Sequence, residues 1–211
     1  MATKYRLTSE ERDFFSLVES AVLANPFSDE RMALDLQIVG MFPDVELDQL
    51  VDRAIAEVKS RIIKIEKEGR CDLQKFSPKD QQMLRAACLF DIFYTFADQF
   101  DQLIQEQIEA LEKSVKVRFA NEALALFQQR GFTHDESLHF FAMAYQLRRA
   151  YYFIDHGLVG RSQSMKKLRE RLWNNVFTYD LDLYDRYLWN HMDDFSTLLL
   201  GETGAGKGAA A

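Results

Sequence analysis

The residues with the plainest chemical potential stand in FSTLLLGETGAGKGAAA, residues 195–211. Gly201, Glu202, Thr203, Gly204, Ala205, Gly206 and Lys207 fit G-x-x-x-x-G-K, the Walker A pattern. Glycines at such spacing let the backbone turn until successive N–H groups point into one concavity, an anion nest. A helix starting near Lys207 adds the positive end of its dipole. The Lys207 ammonium can then reach the β- and γ-phosphates of a nucleoside triphosphate. The general pattern ends in Ser or Thr, whose hydroxyl binds Mg2+. Gly208 stands there instead, so a metal would need other ligands, and no metal-ligating residue of this chain is nominated. The apolar run 195–200 reads as a buried parallel strand leading into the loop.

Other constellations are weaker. Glu136 and His139 make one Glu-x-x-His, but a di-iron bundle needs a second copy, and no other histidine follows a glutamate by three. Glu136 reads better as half of a helix cap. Asp180, Asp182 and Asp185 lack the ligand-glycine spacing of a calcium loop and read as a solvated acidic turn. Residues 147–171 carry seven cations against two acids. A charged outer helix face explains them better than nucleic acid does. Cys71 and Cys88 have no His or Cys neighbour at catalytic or ligand spacing and read as core thiols. No catalytic residue is nominated.

Helices must position these groups. Thr8 with Glu11, and Thr133 with Glu136, have capping-box spacing. Ser28 and Ser77 head further helices, the second with Pro78 at its first position. Between Pro43 and Gly69, Leu47, Leu50, Val51, Ala54, Ile55, Val58, Ile62 and Ile65 step by three or four, one face of a helix. A comparable series runs from Leu84 through Phe90, Phe93, Phe96, Phe100, Ile104 and Leu111. It predicts one unbroken helix over residues 79–113, either a core element or, in its second half, a dimer seam. A further helix is expected over residues 135–154, apolar on more than one face and therefore central.

A family resemblance rests on two stretches. GETGAGKG resembles the GETGTGKE form of Walker A found in sigma-54-dependent bacterial enhancer-binding proteins, members of the AAA+ class. Gly157-Leu158-Val159-Gly160-Arg161-Ser162-Gln163-Ser164-Met165 resembles the motif (I/V)-G-x-S-x-x-M that precedes the ATPase core there. A short helix, here about residues 166–173, follows it. The resemblance implies that Leu158, Val159 and Gly160 lie near the adenine of ATP. It also implies Mg2+ as co-ligand of the intact protein. Family members carry about twenty residues between the two motifs, so residues around 174–195 read as an insertion. Members act on RNA polymerase held by sigma-54, bind enhancer DNA through a C-terminal helix-turn-helix, and assemble into rings. The implied partners are therefore sigma-54 RNA polymerase, enhancer DNA and further copies of the chain. The acidic Walker B strand, the sigma-contact loop and the DNA-binding helices are not among these 211 residues, so a truncated chain is expected.

The expected fold class is mainly α. Residues 1–154 form an N-terminal helical regulatory or sensor domain. Residues 155–211 form the truncated start (lead-in helix, first strand and P-loop) of an α/β AAA+ domain. The resemblance implies a transcription activator that hydrolyses ATP when intact, with this portion inactive alone. The alternatives are a non-catalytic helical sensor or oligomerisation module, and a P-loop NTPase or kinase of another family. Lys and Arg number 26 against 33 Asp and Glu, a net charge of −7 that argues against a general polyanion-binding surface. Two cysteines, no long apolar run and no secretory leader point to a cytoplasmic protein without a membrane span.

Overall fold

The computed structural model describes residues 5–40, 47–70, 72–189, 191, 202–203 and 208. Its elements start where side chains can satisfy the free N–H groups of a first turn. Thr8 opens α1 (Ser9–Leu23) with a closed capping box: the Glu11 N–H donates to Thr8 Oγ1 at 3.2 Å, and the Thr8 N–H donates to Glu11 Oε2 at 2.8 Å. Ser28 caps α2 (Asp29–Val39), which ends at Gly40 in the left-handed region, φ 63°. The third helix, α3 (Leu47–Lys67), buries Leu50, Ala54, Val58, Ile62 and Ile65 of the stripe its periodicity predicts, while Val51 of that stripe is exposed. Ser77 caps α4 (Pro78–Thr95), and α6 (Ala120–Gln129) leads through Gly131 to α7 (His134–Gly157). Thr133 and Glu136 form the second capping box, as their spacing predicts.

The unbroken helix expected over residues 79–113 is two helices. Phe96 leaves the helical region at φ −109°, ψ 10°, and α5 (Ala97–Ala110) begins after it. Backbone hydrogen bonds continue on both sides of the joint: Phe96 N–H donates to Ile92 O at 3.2 Å, and Phe100 N–H donates to Phe96 O at 2.9 Å. The bend brings both rings onto Phe119, Phe96 stacked at 5.8 Å and Phe100 edge-on at 5.0 Å. Spacing alone cannot reveal a break across which the apolar series continues. α5 ends at Ala110, short of residue 113, with Leu111 at φ 55° as its cap. Its Phe100, Leu103 and Ile104 are buried and it packs along α7, so the helix is a core element of this chain.

Two apolar cores result. The larger lies among α1, α3 and α4, with α2 and α6 at its edges. The smaller gathers Met143, Ile154, Leu158, Trp173, Phe177, Leu181 and Tyr184. α7 serves both, and its Phe140 touches each. The larger core also holds a charged group. Arg130 Nη2 donates to Asp91 Oδ2 at 2.5 Å and Arg130 Nε to Glu66 Oε1 at 3.2 Å, fastening the end of α6 to α3 and α4. Gly131 follows at φ 91°, and a β-carbon there would lie 2.9 Å from the Leu73 backbone nitrogen.

Among the described residues the fold is helical throughout; the one β feature is an isolated parallel bridge between Tyr5 and Phe76. The expected strand at 195–200 lies outside the described residues. No described helix is long and apolar enough to cross a membrane.

Candidate functional site

The helix expected over about residues 166–173 is longer: α8 spans Gln163–Phe177. Ser162 is its cap, accepting from the Met165 N–H at 3.4 Å, as the Ser-x-x-Met spacing permits. α7 runs past residue 154 to Gly157 without a break, and α8 folds back against it. Leu158, Val159 and Gly160 form the reversal between them.

These three residues face different ways. The Leu158 side chain is buried in the smaller core, 6% exposed, against Val159 at 91%. Gly160 sits at φ 121°, and a β-carbon there would come 3.3 Å from Met165 Cγ. The reversal is clamped from α8. Arg169 Nη2 donates to Leu158 O at 2.5 Å and Arg169 Nη1 to Gly160 O at 3.0 Å. Nothing in the spacing of Arg169 announces this role, because it depends on α8 folding back over the turn.

α8 has a second anchor, at the corner between α1 and α2. Asn25 Nδ2 donates to Glu170 O at 2.9 Å and to Asn174 Oδ1 at 2.8 Å. Phe27 stacks on Tyr151 at 5.1 Å and meets Trp173 edge-on at 6.1 Å. Lys166 pairs with Asp29 on α2. The cations of residues 147–171 are thus partly committed within the fold. Arg148 makes a two-pronged pair with Asp101 on α5 at 2.6 and 2.5 Å, and Arg149 lies over the Phe153 ring. The arrangement favours the structural reading of this basic stretch.

After α8 come a short helical turn, Leu181–Leu183, and a π-helical turn, Tyr184–Leu188. The acidic residues here have separate tasks. Asp180 caps the turn, accepting from the N–H groups of Asp182 and Leu183 at 2.9 and 3.2 Å. Asp182 pairs with Arg186, while Asp185 reaches His139 on α7 at 2.5 Å. Glu136 completes its cap and pairs with Arg85 on α4 at 2.7 Å, so it and His139 have different partners. Tyr184 is buried beneath the turn; burial pushes its phenol up, and the Asp185 charge adds to the shift. Cys88 is a buried core thiol that forms no disulfide among the described residues, while Cys71 lies outside the described residues.

Of the glycine-rich loop, Glu202 and Thr203 are described and exposed, and Gly208 is exposed with helical backbone. Gly201, Gly204, Ala205, Gly206 and Lys207 lie outside the described residues. The structure describes α7, the Arg169-clamped reversal, α8 and the segment 179–189, whose Asp185 meets His139 on α7; residues 190 and 192–201 lie outside the described residues. No family model, curated protein or solved structure matches this chain.

Proposed function

We propose that the chain is the N-terminal portion of an ATP-dependent transcription activator of the sigma-54 type. The helical body would regulate a nucleotide site that begins at residues 201–208. The observation that carries the reading is GETGAGKG preceded by an apolar run and, further upstream, by a capped Gly-x-Ser-x-x-Met helix start. Supporting it, Ser162 does cap a helix at that motif, and Gly208 has the helical backbone a phosphate loop requires of its exit.

In this reading the N–H groups of Gly204, Ala205, Gly206 and Lys207 donate to phosphate oxygens of ATP. The Lys207 ammonium offsets charge on the β- and γ-phosphates. Gly208 offers no hydroxyl, so Mg2+ is held through water or by groups of a later strand. Leu158 belongs to the wall of the proposed adenine site through its backbone alone, since its side chain is committed to the smaller core. Val159 is the one of the three that can offer a side chain to a base. The proposed partners are sigma-54 RNA polymerase, enhancer DNA and further copies of the chain, met through segments that family members carry after the loop.

Equilibrium binding of Mg-ATP tests the reading, with Lys207→Ala as its control. Removing one charge-assisted phosphate contact should weaken binding at least about tenfold. Equal affinity of the two proteins would refute the assignment of the loop. The coding sequence after residue 211 offers a separate check. An apolar strand ending in Asp-Glu, with G-A-F-T-G-A nearby, is expected. An arginine-rich lid without that loop would favour a kinase or other NTPase.

A further inference from the structure

A groove of about 420 Å³ opens between the α1–α2 corner and α8. That volume falls within the roughly 300–1,000 Å³ range of small-molecule sites. Leu23 and Ala24, at the end of α1, give it an apolar stretch. Three carboxylates line it from three elements: Glu30 from the first turn of α2, Glu170 from α8, and Asp180 from the turn after α8. The Asn25 carboxamide, which donates to Glu170 O and Asn174 Oδ1, ties the two walls together.

Tyr179 also lines the groove and is 87% exposed. Local geometry puts it there. Thr178 holds φ 63° and ψ −173°, a conformation that a β-branched residue rarely adopts. Its hydroxyl accepts from the Asp180 N–H at 3.2 Å and donates to Asp180 O at 3.0 Å. The turn that carries Tyr179 outward is therefore pinned by its own hydrogen bonds.

The charge in this groove has one sign. No Lys, Arg or His is among its described lining residues. None of the three carboxylates pairs with a cation among the described residues, and nearby Lys166 is committed to Asp29. Like charges around one concavity focus a negative potential and draw cations into it. A single metal ion does not suit this spacing. Among the described residues, no three His, Cys, Asp or Glu side chains are grouped closely enough to hold one. The complementary ligand carries separated positive charges joined by an apolar linker.

We propose that the groove binds an aliphatic di- or polyamine. Its ammonium groups pair with Glu30, Glu170 and Asp180, and its methylene segments lie against Leu23 and Ala24. One ammonium sits over the face of the Tyr179 ring. A ligand that spans the α1–α2 corner and α8 binds the folded chain alone, so it raises the unfolding midpoint by mass action.

Isothermal titration calorimetry of the full chain with spermidine, at low ionic strength, tests the site. Saturable binding of one equivalent is expected. n-Butylamine carries one charge and should bind at least about tenfold more weakly. Glu30→Gln combined with Glu170→Gln should weaken spermidine binding about tenfold, because each exposed charge contact is worth roughly two- to fivefold. Tyr179→Ala should weaken it about threefold, while Tyr179→Phe keeps the ring face and should stay within about twofold of the wild type. These substitutions lie at the surface, and unchanged melting temperatures without ligand will show that the variants fold.

Glu109→Gln combined with Glu112→Gln removes the same charge from carboxylates that do not line the groove, and should leave the affinity unchanged. An equal loss in this control would overturn the site, reducing the effect to attraction by a chain of net charge −7. Displacement of spermidine by Mg2+ at matched ionic strength would overturn it for the same reason. So would the absence of saturable binding, or equal affinity in the wild type and the Glu30→Gln, Glu170→Gln variant.

Discussion

Replacing Arg130 by methionine isolates the charged group inside the larger core. The Arg130 side chain is 8% exposed and its partner Asp91 2% exposed, with Nη2 and Oδ2 2.5 Å apart. The other oxygen of Asp91, Oδ1, is buried and makes no hydrogen bond. Arg130→Met leaves that carboxylate desolvated and without a cation. Removing one partner of a buried pair costs about 3–5 kcal/mol. Glu66, at 32% exposure, recovers water when its contact is lost and adds less than about 1 kcal/mol. Methionine keeps most of the aliphatic stem, so the cavity contribution is small. A chain of this size loses about 2–4 °C of melting temperature per kcal/mol, so the midpoint should fall by about 10 °C. Asp91→Leu added to Arg130→Met removes the stranded charge, and an apolar pair of similar volume should return stability to within about 1 kcal/mol of the wild type. Urea unfolding followed by far-ultraviolet circular dichroism measures all three proteins. A cost below about 1 kcal/mol for Arg130→Met, or a double variant no more stable than the single one, would show that the buried Asp91 charge does not depend on Arg130.

Two further outcomes follow from local geometry. Gly131→Ala should destabilise the fold by about 2 kcal/mol, because φ 91° strains any β-carbon and the Leu73 backbone nitrogen at 2.9 Å cannot move aside cheaply; a melting temperature matching the wild type would contradict this. For Glu11, burial pushes the carboxyl up, but hydrogen bonds from Arg70 and the Thr8 N–H outweigh it and hold the group below its ordinary value near 4.5. A lowered folded value means its stabilisation is complete above about pH 4.5 and fades as pH falls through the depressed value. Unfolding free energy should therefore fall on acidification below that point, and Glu11→Gln should flatten the slope; parallel pH profiles for the two proteins would rule the linkage out.

Local chemistry was largely legible in residue order. Thr8, Ser28, Ser77 and Thr133 all cap helices, because a cap needs only one oxygen and an N–H two or three residues on. The apolar stripe of α3 was legible for the same reason, since periodicity is a property of neighbours along the chain. The glycine-rich loop is likewise a sequence-level signal, read from spacing and from the chemistry of main-chain amides. The break at Phe96 was not legible, because the apolar spacing runs on through it and the contact made there is with Phe119, which lies on a different part of the chain. Arg169 over Leu158 and Gly160, Asn25 on α8, and His139 on Asp185 were equally hidden. Each joins groups on different elements, and their meeting is decided by how α7, α8 and the α1–α2 corner pack. Caps and stripes are short-range consequences of one helix's geometry, whereas pairing across elements waits on the burial that brings those elements together.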